Sequence, residues 1–382
     1  MKTITLDSKS IKKTIKQLDK ILKEGFVPSF GFIYASSSFN IQKLSTALSK
    51  YNFPLMGATT AGEVFTDDTE SVYEVDGHII CMLVALTDNS IEMTFVETED
   101  NQDAYAVGEH IGMWAKSCFS SCAIITLTSG LAFDNDAYTQ GILSREIEYA
   151  FGGAAGDGFL LEETFVFSNG LVSNQGVVAL ALDKSKIDIV GARAFGWQGV
   201  GKERIVTKAS KNIVYEIDGL PAIDFYKRYL NITSQDMPQV GIEYPLEVRL
   251  ENGEFVYRAV LEIDEVNGSL VFAGHVAEKA KVRISAPKGR SIINDVEKSI
   301  QKVLSEKKSF KPSFGLLFPC CSRKQVLGHL THLEIEAVYR QCSVPLIGFF
   351  AYGEIGAFPG GYCFHNETFV TAFLSEKADD EI

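Results

Sequence analysis

A chain of 382 residues, 46% hydrophobic and 22% charged, has the composition of a folded globular protein with room for two or three domain cores. Its formal net charge of -13 repels both a phosphate backbone and an anionic membrane surface. No Lys/Arg-rich face interleaved with aromatics offsets that charge, so neither nucleic acid nor membrane is an expected partner.

From the N-terminus, Met1 to Lys23 mixes Lys, Thr, Ser and Ile without a continuous apolar stretch, which predicts no signal peptide. The almost wholly apolar Phe30 to Tyr34 predicts a central strand covered on both faces. Between Asn40 and Tyr51, the residues Ile41, Leu44, Leu48 and Tyr51 fall at helical spacing and predict one apolar stripe. Pro54 then feeds a second strand that ends in the turn Gly57-Ala58-Thr59-Thr60-Ala61-Gly62-Glu63. The longest apolar run, Ile79 to Leu86, is too short to span a bilayer and suits a buried strand.

The same order returns twice. Ala123 to Leu127 predicts a strand, Tyr138 to Ala150 a helix, and Phe151 to Asp157 a Gly-rich turn before the strand Gly176 to Leu182. That copy is one residue shorter between its glycines than the others. Ala192 to Trp197 predicts a strand, and Pro221 to Tyr229 a helix. Phe255 to Leu261 and Leu270 to Val276 predict a hairpin through Asn267-Gly268. A strand over Lys281 to Ser285 and a helix over Asp295 to Glu306 follow. The last copy runs from Pro312-Ser313-Phe314-Gly315 to Pro345-Leu346-Ile347-Gly348-Phe349-Phe350-Ala351-Tyr352-Gly353-Glu354, closing with the strand Thr368 to Leu374. A fixed order of strand, helix, strand, Gly-acid turn and strand marks a duplicated supersecondary unit. The expectation is an α/β fold of mixed sheets covered by helices, in two packed halves, 1–190 and 191–382.

Seven cysteines, an odd number with several inside apolar runs, argue against a secreted disulfide framework and predict a cytoplasmic protein. Cys118 and Cys122 could share a helix face, but no second pair has zinc spacing. The nucleophile-elbow pattern GxSxG and the Walker A sequence are absent, and Gly152 to Gly156 lacks dinucleotide-binding spacing. Glu146, Glu148, Glu334 and Glu336 read as solvated helix positions. Cys320 and Cys321, read as strand neighbours, point to opposite faces. An enzyme using Cys321 or Cys342 lacks a convergent motif, so no enzymatic activity is expected.

With these residues in hand, the chain resembles the FIST family, whose members carry adjacent FIST-N and FIST-C regions and act as intracellular sensors of small ligands. The resemblance lies in Pro54 to Glu63, in Arg258-Ala259-Val260 with Phe272-Ala273-Gly274 and Val282-Arg283, and above all in Pro345 to Gly356 followed by His365-Asn366-Glu367-Thr368. It covers nearly the whole chain. One branch of that family comprises stand-alone haem proteins that sense nitric oxide and control a partner histidine kinase. This chain is similar to that branch in having no attached output domain. It departs from the family at His275, where an acidic residue is usual, and at Cys320-Cys321-Ser322-Arg323, which keeps the family's Cys and Arg around an extra Cys.

The resemblance therefore implies a sensor whose partners are a small-molecule or diatomic gas ligand and a histidine kinase or other signalling protein, with a homodimer allowed. Histidine suits haem iron. Among His78, His110, His275, His329, His332 and His365, the choice for a metal ligand is His275, set between Phe272-Ala273-Gly274 and Val276. His329 and His332, three residues apart, come next. Each also reads as an ordinary lone histidine. Glu63, Asp157 and Glu354 sit at equivalent turns; with Gly62, Gly353 and Arg323 they read as a ligand site for an amine, or as turn carboxylates accepting backbone N–H bonds. The second functional reading is accordingly a sensor of an amino acid or other small metabolite without haem.

Overall fold

The computed structural model describes residues 1–67, 69–99, 102–237, 239–358 and 361–377. Three of its sheets repeat one strand order. In the first, Lys2–Ser8, Ile79–Ala85, Phe30–Ser36 and Leu55–Thr60 lie side by side, with only the last pair parallel. In the second the order is Ile91–Glu97, Gly176–Asp183, Cys122–Thr128 and Ala150–Ala154, again with the last pair parallel. In the third it is Ile187–Phe195, Thr368–Glu376, Phe314–Pro319 and Leu346–Phe349. This is the mixed α/β architecture expected, with one addition to the unit. Each copy begins with an edge strand; the first two are partly exposed and carry no continuous apolar run, whereas Ile187–Phe195 is largely buried.

Each sheet is completed by a hairpin from a different unit. Glu63–Thr66 with Val72–Val75, from the first unit, joins Leu346–Phe349 of the third. Gly353–Gly356 with Phe364–His365, from the third, joins Ala150–Ala154 of the second. Val166–Phe167 with Val172–Ser173, from the second, joins Leu55–Thr60 of the first. The exchange closes a ring. At its centre the three turns bond one another: the Ala61 amide donates to the Phe350 carbonyl at 3.0 Å, Tyr352 to Ala154 at 3.0 Å, and Gly156 to Thr59 at 2.9 Å.

The inner faces of the three sheets share one core, in which Phe32, Tyr34, Ile125, Phe151, Leu180, Phe314, Phe349 and Val370 are buried. Helices cover the outer faces. Asn40 caps Ile41–Leu48 by accepting from the Lys43 amide at 2.8 Å, and that helix buries Ile41, Leu44 and Leu48, the stripe read from spacing. Ile11–Lys23 lies beside it, capped by Ser10. Ala104–Cys118 and Asn135–Leu143 cover the second sheet, and Ser291–Glu306 with His332–Cys342 the third.

Between Ile187–Phe195 and Ser291–Glu306 the chain leaves the ring. Residues 197–287 build a nine-stranded antiparallel sheet with the helix Ala222–Leu230 and a separate core around Val214, Tyr226, Val256 and Phe272. The position 190/191 falls inside the strand Ile187–Phe195, which pairs with Thr368–Glu376 near the far end of the chain.

Several local expectations shift. The stretch Phe255 to Leu261 is two strands, Phe255–Arg258 paired with Leu246–Arg249 and Val260–Asp264 paired with Ser269–Phe272. Gly268 supplies the positive φ of the second pair's turn. Cys118 ends a helix and Cys122 begins a strand, so they share no helix face. Cys320 caps the helix Cys321–Leu327 rather than lying in a strand with Cys321. Glu334, read as solvated, is fully buried in an ion pair with Arg323.

Candidate functional site

The loops that follow Cys122–Thr128 and Phe314–Pro319 meet the inserted sheet around a cavity of about 520 Å³. Ligand sites commonly have this size and lie beyond the carboxyl ends of sheet strands. Residues 130–136 form one wall and Cys320 to Ser322 another. The hairpin residues Phe364, Asn366 and Glu367 form a third, and Ala259, Leu261 and Phe272 to His275 of the insertion close it.

Arg258 lies fully buried beneath it. Its Nη2 contacts Asp136 Oδ2 at 3.0 Å and the Tyr362 hydroxyl at 3.2 Å. Nη1 donates to the Tyr257 and Phe364 carbonyls and to Asn366 Oδ1, and Nε donates to the His275 carbonyl at 3.2 Å. One guanidinium thus ties the insertion to the second and third units. Asp136 is completed by the His275 amide at 2.8 Å and the Tyr362 hydroxyl.

His275 is at this site, but its surroundings are not apolar. Its Nε2 lies 3.0 Å from Asp134 Oδ2. That bond raises the imidazole pKa against the opposing effect of burial. Burial pushes the Asp134 carboxyl up, yet hydrogen bonds from His275 and the Ala137 amide hold it below its usual value. The carboxylate occupies one ring nitrogen and leaves Nδ1 as the nitrogen that could ligate a metal, once the ring has lost the proton that the pair favours. His329, in the turn Gly328–Leu330, and His332, at the start of the next helix, are exposed and do not line the cavity. Among the described residues no cluster of three or more His, Cys, Asp or Glu side chains could hold a metal ion.

The turn carboxylates are not brought together here. Glu63 accepts from the Thr60 hydroxyl and from the His78 amide at 3.1 Å, and burial raises its pKa to about 7. Glu354 accepts from the Thr368 amide and hydroxyl at 3.0 and 2.7 Å, and burial raises it well above its usual value. Both fasten a turn to the entry of the unit's last strand, Glu63 through the residue before Ile79 and Glu354 through Thr368. Asp157 instead holds the amides of Leu161, Glu162 and Glu163 and receives the Tyr352 hydroxyl. Gly62 adopts φ +128, and an added Cβ would meet Lys324 Nζ at 2.7 Å and Asp76 Oδ1 at 2.8 Å. Gly353 packs against the Phe364 ring, 2.5 Å from where its Cβ would stand. Arg323, fully buried, pairs with Glu334, donates to the Glu367 carbonyl at 3.0 Å and lies 5.6 Å from the Trp197 ring.

Three lining residues that the candidate sites omitted carry buried polar atoms without a protein partner: Asn135 Oδ1, Asn366 Nδ2 and Glu367 Oε1. Glu367 has φ +63, its Oε2 accepts from the Ser322 hydroxyl, and burial raises its pKa to about 8. The available signal was the stretch His365-Asn366-Glu367-Thr368, four polar residues leading into a largely buried strand. Cys321 lines the cavity, whereas Cys342 lies elsewhere with its thiol pushed up to about 11 by burial.

Residues 29–220 match the FIST N domain and residues 222–357 the FIST C domain. Uncharacterized protein Rv0628c of Mycobacterium tuberculosis is 24% identical over 228 residues, 57% of this chain and 58% of that protein. Uncharacterized protein Mb0898c of Mycobacterium bovis is 25% identical over 239 residues, 60% of each chain. Uncharacterized protein MJ1623 of Methanocaldococcus jannaschii is 25% identical over 327 residues, 78% of this chain and 62% of its own length. The match thus spans about three fifths of each of these relatives. No helix among the described residues is long and apolar enough to cross a membrane.

Proposed function

Since the chain belongs to the FIST family, whose domains are small-ligand sensors of signal transduction, we propose that it holds a small metabolite in the cavity between ring and insertion and reports occupancy to a signalling partner such as a histidine kinase. The observation that carries this reading is the set of orphaned polar atoms on Asn135, Asn366 and Glu367, in a chamber also lined by the rings of Phe133, Phe272 and Phe364. A buried polar atom without a partner is costly, and a ligand supplies the partner. A ligand touching both the inserted sheet and the ring favours the arrangement in which they close on it, which is how occupancy becomes a change of surface.

The orphaned donor and acceptor atoms call for a hydrogen-bonding ligand, so the metabolite reading is preferred to a nitric-oxide sensor. A thermal-shift screen of metabolites against the purified chain and its Ala273→Trp variant tests it. A hit that stabilises the parent and loses its effect when the cavity is filled is expected. Stoichiometric haem uptake with a Soret band that moves in His275→Ala would replace the metabolite with haem.

A further inference from the structure

We propose that the end of the ligand buried in this cavity is uncharged: a largely apolar molecule whose head sets one hydrogen-bond donor beside one acceptor, as a primary amide or a lactam does. The inference rests on the reading of this cavity as the ligand site.

The charges around the chamber pair off. Arg258 is committed to Asp136 and Arg323 to Glu334, all four side chains buried. At the rim, His275 faces Asp134, and Lys211 is exposed to water. The remaining carboxyl, Glu367, has no cation on its oxygens, because Arg323 reaches only its backbone carbonyl. Burial accordingly keeps the Glu367 proton in place near neutral pH. A charged head at the buried end loses its hydration, and the one unpaired cation among the described lining residues, Lys211, stands out at the exposed rim, so burying the charge is unfavourable.

What remains, beside the uncharged Glu367 carboxyl with its free Oε1, is a pair of amide atoms of opposite sense. Asn366 Oδ1 is occupied by Arg258 at 3.2 Å, which leaves its Nδ2 as a donor. Asn135 Nδ2 donates to the Ser129 carbonyl at 3.0 Å, which leaves its Oδ1 as an acceptor. Asn135 and Asn366 line the same cavity, so one ligand head can meet both the donor and the acceptor. A ligand carbonyl takes the first and a ligand N–H the second. Phe133, Phe272 and Phe364 supply the apolar surround.

Benzamide, benzoate and benzylamine carry neutral, anionic and cationic heads on one ring, and their binding to the intact chain is read by calorimetry at neutral pH. Benzamide is expected to bind in the millimolar range and more tightly than either charged analogue. In Asn366→Asp, which keeps the oxygen facing Arg258 and removes the donor, its affinity falls about tenfold, the loss of one hydrogen bond. No benzamide binding, or tighter binding of benzoate or benzylamine that disappears in Ala273→Trp, overturns the neutral head and leaves the cavity as the site. Binding of any of the three that persists unchanged in Ala273→Trp overturns the cavity reading itself. Leu261→Trp, at a more exposed point of the same wall, serves if Ala273→Trp does not fold.

Discussion

Replacing Arg258 by Met removes a guanidinium that bonds three backbone carbonyls, Asn366, Tyr362 and Asp136, and leaves Asp136 as a buried carboxylate without its cation. Asp136 keeps the His275 amide and the Tyr362 hydroxyl, so its charge is partly satisfied. Removing one partner of a buried pair costs about 3–5 kcal/mol. Divided by a urea slope of about 3 kcal/mol/M, a loss of about 4 kcal/mol lowers the unfolding midpoint by about 1.3 M. Asp136→Asn strands the cation instead, and falls in the same range. The double variant Arg258→Met with Asp136→Asn removes both charges and is expected to cost less than the sum of the singles, because neither is then buried alone. Urea titration followed by the fluorescence of Trp114 and Trp197 measures all four proteins, with one reporter in the ring and one in the insertion. Single variants that each cost under about 1 kcal/mol, or strictly additive costs, refute the assignment of this pair as the tie between insertion and ring.

Glu367 has a folded pKa near 8, raised above its usual value by burial, so its contribution to stability is present at low pH and lost as pH rises through 8. Glu367→Gln removes this dependence, flattening the stability profile between pH 5 and 8 by up to about 1.4 kcal/mol per pH unit, as denaturant midpoints at several pH values would read. The NMR titration of His275 should give a pKa above the ordinary histidine value that falls towards it in Asp134→Asn; an unchanged midpoint would dissolve the pairing at the rim. Glu354→Gln retains an oxygen for both Thr368 donors and is expected to cost under about 1 kcal/mol while leaving any cavity ligand's affinity unchanged. Calorimetry showing a lost ligand would bring Glu354 into the site.

The Gly-acid turns were legible because prolines and paired glycines announce them, and because buried strands such as Ile79–Ala85 carry their own apolar signal. Edge strands such as Lys2–Ser8 were not, since alternation between a sheet and water resembles an ordinary polar segment. His275 looked apolar from its neighbours in sequence, but the carboxylates that define it come from a helix about 140 residues earlier. Glu334 looked solvated for a similar reason: its partner Arg323 sits on the preceding helix, and the pair is enclosed only when the third unit packs under Trp197. Arg258 and Asp136 could be named as residues but not as a pair, because 122 residues separate them. Long-range partners of charged groups are set by topology, which no local pattern encodes.

The exchange of hairpins also dictates an order of events as the chain is made. Glu63–Thr66 emerges early, yet its pairing strand Leu346–Phe349 follows some 280 residues later. Until then the first unit must hold that hairpin with one edge unpaired, while its own sheet waits for Val166–Phe167 from the second. No single unit can complete its sheet alone. Folding is therefore a late, collective closure dominated by distant contacts, which makes it slow and leaves the nascent chain open to mispairing between its own repeated turns.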